Sequence, residues 1–194
     1  MLDEISVLQQ AALDVGELPN SSQVISALLK LEKETKTKET GNEDYSLTNL
    51  AGTWNLRFIT GTKKTRKRAG VILGSGKYIP RLIKIQIMYQ AREPESAKGK
   101  VVNSVGLGFL QLSLTGPIEF ISKKSILAFD FTNLKFSVGN LVLYQGQIKS
   151  KASTEADFWQ QKLKDRAFFK YFVIEDSLIA ARGKGGGLAL WTRE

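Results

Sequence analysis

The spacing of apolar residues changes once along the chain, near Leu50, and the change divides it in two. Before that point apolar positions recur every three to four residues. Ile5, Leu8, Ala12 and Val15 form one stripe, with Asp3 placed to cap it and Gly16 to end it. Val24, Leu28 and Leu31, flanked by Ile25 and Leu29, form a second, with Asn20 or Ser21 as its cap. Both stripes predict helices that dock one face on a larger body. Residues 32–46 alternate Lys, Glu, Thr and Asn without an apolar period, the pattern of a helix tail and a flexible linker.

After Leu50 the period is two. Trp54, Leu56 and Phe58 alternate with Asn55 and Arg57; Ile83, Ile85, Ile87 and Tyr89 alternate with Lys84, Gln86 and Met88. Leu110, Leu112 and Leu114 repeat the pattern, as do Phe129 with Phe131 and Phe136 with Val138. Gly, Pro and Asn punctuate these runs. Nine or ten short strands joined by tight turns are predicted, in an antiparallel meander. Such a sheet must hide its edges, and closure into a barrel does so most completely. Residues 153–166, with Thr154, Phe158, Gln161 and Leu163, interrupt the pattern as a short helix or long loop. The expected division is a helical segment and linker over 1–46 and a β-barrel over 47–194.

Composition narrows the chemistry. With 194 residues, 42% apolar, the chain can bury one sizeable core. It has no Cys and no His. Thiolate nucleophiles, iron–sulfur clusters, Cys-ligated zinc and the Ser–His–acid triad are therefore excluded. The net charge of +9 is unevenly spread: residues 1–50 hold nine acids and four bases, the remainder ten acids and twenty-four bases. A basic body of this kind suits a polyanionic partner, a membrane surface or a nucleic acid. No run of about 18 apolar residues exists to span a bilayer as a helix. The acidic start lacks the basic region of a secretory signal and the Arg-rich character of a transit peptide.

The densest charge lies in Lys63, Lys64, Arg66, Lys67 and Arg68, with no acid between residues 63 and 84. Each base near an anionic bilayer contributes about 1 kcal/mol, so this run is the candidate membrane-binding element, and a solvated hairpin tip is the plainer reading. A nucleic-acid patch would look alike. Single-strand readers interleave aromatics with bases, and only Tyr78 does so here, which weighs against nucleic acid. Gly70, Gly74, Gly76 and Lys77 miss the phosphate-loop spacing: Val71 stands where Gly is needed and Tyr78 follows the Lys. Glu119, Asp130 and Glu175 are the carboxylates that a barrel-mouth acid–base pair would use. Gly52-Thr53-Trp54 opens the first strand, where a Trp can plug one end of a small barrel. Arg193 or Arg182 could then stack on it by cation–π contact, because first and last strands meet on closure.

Leu50-Ala51-Gly52-Thr53-Trp54-Asn55-Leu56, Lys100-Val101-Val102-Asn103-Ser104-Val105 and the ending Phe172 through Gly186 together resemble the plastid lipid-associated proteins, or fibrillins, of plants and cyanobacteria. In the ending, Leu178, Arg182, Gly183 and Gly186 or Gly185 match the family pattern, while Val173, Glu175 and Ile179 depart from it, as in a divergent member. The resemblance implies a lipocalin-like antiparallel barrel behind a two-helix N-terminal segment. It implies non-catalytic binding, storage or scaffolding of carotenoids, quinones, tocopherols or acyl lipids at thylakoid or plastoglobule membranes; from the residues themselves, no cofactor and no metal are expected. It places the protein on the cytoplasmic side of a cyanobacterial thylakoid, the setting the acidic start favours, or in a plastid. The expected ligand-binding side chains are Trp54, Phe58, Ile85, Ile87, Tyr89, Phe129 and Phe131. In a barrel of this size the same residues either line a pocket or fill the interior.

Overall fold

The computed structural model describes residues 3–13, 17–37, 45–61, 76–148 and 155–194. The basic run Lys63, Lys64, Arg66, Lys67 and Arg68 lies outside the described residues. Both predicted helices form: α1 is Glu4–Leu13 and α2 is Ser21–Thr37. Asn20 caps α2 reciprocally. Its Oδ1 accepts the Gln23 N–H at 3.0 Å, and the Gln23 side chain accepts the Asn20 N–H at 2.8 Å. The apolar stripes bury Leu8, Ala12, Val24 and Leu28 against Phe172, Leu178, Ala180, Leu188 and Leu190 of the sheet. At about 1.5–3 kcal/mol for each large apolar side chain fully buried, that contact is what holds the helices down. Polar ties fix its register. Arg57 Nε donates to the Ala12 carbonyl at 2.9 Å, and the Tyr78 hydroxyl to Pro19 at 2.6 Å. The guanidinium of Arg182 donates to both carboxylate oxygens of Glu32, from α2, with Nε–Oε1 at 2.7 Å.

The rest is mainly sheet. In chain order the strands are β1 Gly52–Thr60, β2 Gly76–Tyr78, β3 Ile83–Ala91, β4 Lys98–Leu107, β5 Leu110–Ile121, β6 Ile126–Phe129, β7 Asn133–Val138, β8 Leu141–Gln147, β9 Ala167–Ile174, β10 Leu178–Gly183 and β11 Leu188–Arg193. Eight of them, β1, β3, β4, β5, β6, β9, β10 and β11, close an antiparallel barrel in that order. The seam is β1 on β11, with Trp54 opposite Arg193. β2 adds to the upper half of β1. A short helix, α3 (Leu47–Leu50), which the period did not predict, closes the lower end with Leu47 and Leu50. The interruption after β8 contains helix α4 (Glu155–Gln160) and a 3-10 turn, Leu163–Asp165. Phe158 of α4 packs against Ala128 on the outer wall.

Two bulges break the inside–outside alternation of the ring. On β1 the register shifts between Leu56 and Phe58. Trp54 and Leu56 face the interior, but Phe58 turns out beneath the helices, its ring edge-on to Tyr78 at 5.1 Å. The expectation that Phe58 lines the interior is therefore corrected: a bulge adds one residue and flips the face of everything beyond it. On β9 the shift lies opposite Ala180 and Ala181, so Tyr171 and Ile174 face in while Phe172 and Val173 face the helices.

The barrel is not uniform along its axis. β6 and β7 run consecutively along β5, β6 against Ile118–Ile121 and β7 against Leu110–Thr115. The one-residue offset falls at Asp130–Thr132, where the Asp130 side chain accepts the Phe131 N–H at 2.9 Å. Gly116 faces that kink, and a Cβ there would lie 2.0 Å from the Asp130 carbonyl oxygen. Phe129 and Phe131, expected on one strand, are thus separated: Phe129 ends β6 and Phe131 lies within the break. Below the break the outer neighbour is β9; above it the neighbour is β8. The upper halves of β3, β4 and β5 therefore continue past the closed ring as an open arm that includes β7 and β8. Among the described residues, no helix is long and apolar enough to cross a membrane.

Candidate functional site

The closed lower half is packed solid. Trp54, Tyr89, Val101, Ile118, Leu127 and Tyr171 are 0–1% exposed and belong to one cluster. Arg193 seals its end, with the guanidinium carbon 4.1 Å from the Trp54 ring centroid and Nη1 donating to the Ala51 carbonyl at 2.8 Å. Arg193 rather than Arg182 is thus the stacking partner. The approach requires Gly52, whose φ is +117° and where a Cβ would meet Arg193 Nη1 at 2.7 Å. Trp54 Nε1 donates to the Leu50 carbonyl at 2.7 Å, which fixes α3 under the ring. Across the interior, the Tyr89 and Tyr171 hydroxyls meet at 2.7 Å and tie β3 to β9. Burial pushes both phenols well above their usual range, so they are neutral and serve as a strut. Phe129 stacks on Phe169 at 5.0 Å, and Phe169 meets Trp191 edge-on at 5.4 Å.

Above this base the same inner wall opens. The β4–β5 register carries the interior face of Val101 and Ile118 upward without a shift, through Val105, Leu107, Leu110, Leu112 and Leu114. Leu134, Phe136 and Val138 of β7 stand opposite Leu114, Leu112 and Leu110 and extend the wall. Exposure rises steadily along it: Val105 is 38% exposed, Leu110 45% and Leu107 52%. We call this apolar inner face, which lies above the packed aromatics and is exposed at its upper end, the trough. On the other side of the arm Lys84, Gln86, Ser104 and Gln111, together with Leu82 and Phe109, line a groove of about 480 Å³ of mixed polar and apolar character.

The anticipated ligand residues divide between these regions. Trp54, Ile87 and Tyr89 lie in the packed base, and Phe129 is buried there at 9% exposure. Ile85 and Phe131 are half-buried against its upper surface, at the floor of the trough. Phe58 is outside the barrel, as described. The trough wall of Leu112, Leu134 and Phe136 was not assigned a site, although its alternation was visible. Phe169 and Tyr171 were missed because the β9 bulge obscures their period. None of the three carboxylates enters the interior cluster. Glu119 faces α4 and pairs with Arg166 Nη1, whose guanidinium also donates to Trp159 O at 2.9 Å and lies 4.7 Å from the Phe158 ring centroid. Asp130 closes its local turn. Glu175 sits at the β9–β10 turn, its N–H donating to Leu178 O at 3.0 Å.

No family model and no curated protein matches the chain. Among solved structures it is similar to a redesigned β-barrel, b11L5F_LGL, with 10% identity over 79% of this chain and 99% of that one and a TM-score of 0.38. A second redesigned β-barrel, mFAP1 bound to DFHBI, shows 12% identity over 77% and 98%, with a TM-score of 0.34. At those scores neither likeness adds to what the strand pairings establish. The barrel itself is a fold compatible with small-molecule binding.

Proposed function

We propose that the protein is a non-catalytic carrier or scaffold for an apolar isoprenoid or acyl molecule, held in the trough above the packed base. The observation that carries this reading is the continuation of the barrel's inner apolar wall into solvent, through Val105, Leu107 and Leu110. A ligand hiding on the order of 400 Å² against that wall gains roughly 10 kcal/mol gross at about 25 cal/mol per Å². The lower estimates for lost freedom on binding are about 4 kcal/mol, which leaves a surplus. No bond making is required, and the chain's own role is to exclude water.

The resemblance to plastid lipid-associated proteins supports an acyl or isoprenoid ligand drawn from a thylakoid or plastoglobule membrane. A membrane partner also agrees with the charge pattern. Thr60 and Gly76, which flank the basic run in sequence, pair at the same end of the barrel as the trough. Five bases at about 1 kcal/mol each would hold that end to an anionic bilayer reversibly. The test has two arms. Delipidated protein is titrated with retinoid, quinone and fatty-acid probes, and an organic extract of protein from its native source is read by mass spectrometry. Uptake with a co-purifying apolar molecule is expected; neither uptake nor a bound molecule removes the carrier reading. Flotation with anionic against neutral liposomes, beside an oligonucleotide gel shift, separates a membrane partner from a nucleic acid.

A further inference from the structure

β8 has the opposite of an edge strand's usual protection. One edge pairs with β7, and among the described residues the other pairs with no strand. Its sequence, Leu141-Val142-Leu143-Tyr144-Gln145-Gly146-Gln147, contains no charge and no Pro, the devices that normally block an edge. A half-buried strand exposes every second side chain. Here four consecutive apolar residues, Leu141 through Tyr144, are exposed by 43–65%, on both faces of the sheet. The bulge at Leu143, where Phe136 pairs with Tyr144 and Ser137 with Val142, is the single protective irregularity.

We infer that this strand is a self-association surface, and that two copies of the chain pair β8 with β8, antiparallel about a two-fold axis. Two features select a second copy. The unpaired edge presents backbone N–H and C=O groups, which another strand satisfies and which a bilayer interior leaves unsatisfied at several kcal/mol each. The strand is also neutral within a chain of charge +9, so self-pairing sets no like charges across the new ladder. An antiparallel strand meeting its own copy is isologous by construction and closes after two. Pairing would bury on the order of 1,000 Å² in total, about the least a specific interface needs, so the dimer is weak and concentration-dependent. The joined arms would place the two apolar troughs on one continuous sheet.

The full chain is examined by sedimentation equilibrium across the micromolar range. Single cysteines are introduced in turn at positions 141–145 and at Lys123 near the opposite end of the barrel, then mildly oxidised. Because the natural chain has no Cys, each new thiol can pair only with its copy. The expected results are a concentration-dependent dimer, crosslinking at one or two β8 positions but not at Lys123→Cys, and dimerisation at least about tenfold weaker in Leu143→Lys. Circular dichroism confirms that Leu143→Lys remains folded; if it does not, opposite charges placed one per chain at the crosslinking position must give a heterodimer. A monomer at every concentration overturns the inference, as does equal crosslinking at Lys123→Cys. Monomers in solution that crosslink only on phosphatidylglycerol vesicles assign the strand to lipid and also overturn it.

Discussion

The two ends of the barrel are built from one set of strands but do opposite things with their apolar side chains. β3, β4 and β5 run through both. In the lower half β11, β10, β9 and β6 complete the ring, and Trp54, Tyr89, Ile118 and Tyr171 are in contact with protein on every side. In the upper half the outer neighbour of the β6–β7 run becomes β8, the ring does not close, and Leu107, Leu110 and Leu141 stay in water. Periodicity is the same in both; closure alone decides whether an inward-facing residue is core or solvent-facing wall. Substitutions should therefore separate cleanly into those that unfold the base and those that leave it intact.

The largest effect is expected at the plug. Trp54→Ala removes a fully buried ring beneath Arg193 and should cost about 3–5 kcal/mol, read as a lowered urea midpoint with unchanged slope. A loss below about 1 kcal/mol would show the base to be loosely packed, and the distinction between the halves would fail. The next effect tests the strut. Tyr89→Phe strands the Tyr171 hydroxyl in an apolar interior and should cost about 1–3 kcal/mol. Replacing both tyrosines by Phe removes the orphaned group and should recover most of that loss. A double variant as unstable as the sum of the singles would mean the phenols do not act as a pair.

A smaller and pH-dependent effect is expected where α2 meets the barrel. Burial alone would raise the Glu32 carboxyl, but its bonds to Arg182 and the nearby Lys36 carry it below the ordinary value of 4.5. A depressed folded-state pKa contributes stability that is complete above the unfolded value and is lost as pH falls through the folded one. The melting temperature of the natural chain should accordingly drop more steeply below pH 4.5 than that of Glu32→Gln. At neutral pH the Gln variant should be less stable by about 1–2 kcal/mol, since the charge-assisted bonds to Arg182, itself 29% exposed, are weakened rather than removed. Parallel pH curves would show that the helices are held by apolar contact alone.

Much of this arrangement was legible before any coordinates. A cap at Asn20 or Ser21, a stack of Trp54 with Arg193 or Arg182 and a closed antiparallel barrel followed from residue type and spacing. Each is a local preference or a direct consequence of joining first strand to last. The structure selects Asn20 and Arg193, and it departs from a simple meander by pairing β6 with β9 and setting β7 and β8 outside the ring. What stayed hidden depends on events that a period of two does not record. A single inserted residue at Arg57 sent Phe58 out of the interior, and another on β9 concealed Tyr171. The kink at Asp130–Thr132 looks like an ordinary break in alternation, yet it hands the strand from β9 to β8 and thereby opens the trough. Leu110, Leu112 and Leu114 read as one more core strand because sequence shows that they face inward, not whether anything lies opposite.

The smallest effect on stability belongs to that open wall, and there function rather than folding should respond. Leu107→Ser and Phe109→Ser alter side chains that are 52% and 84% exposed. Little packing is lost, so each should change stability by no more than about 0.5 kcal/mol. If the trough holds an apolar ligand, Leu107→Ser should weaken uptake of a quinone or fatty-acid probe, because Leu107 stands on the inner face opposite Leu110. Phe109 sits at the tip of the β4–β5 hairpin, beyond that register, and its replacement should leave solution uptake unchanged. Probe titration of both variants beside the natural chain reads the difference directly. Equal weakening in the two would move the binding surface from the inner wall to the tip, and no weakening in either would return the trough to being merely the unfinished end of a barrel.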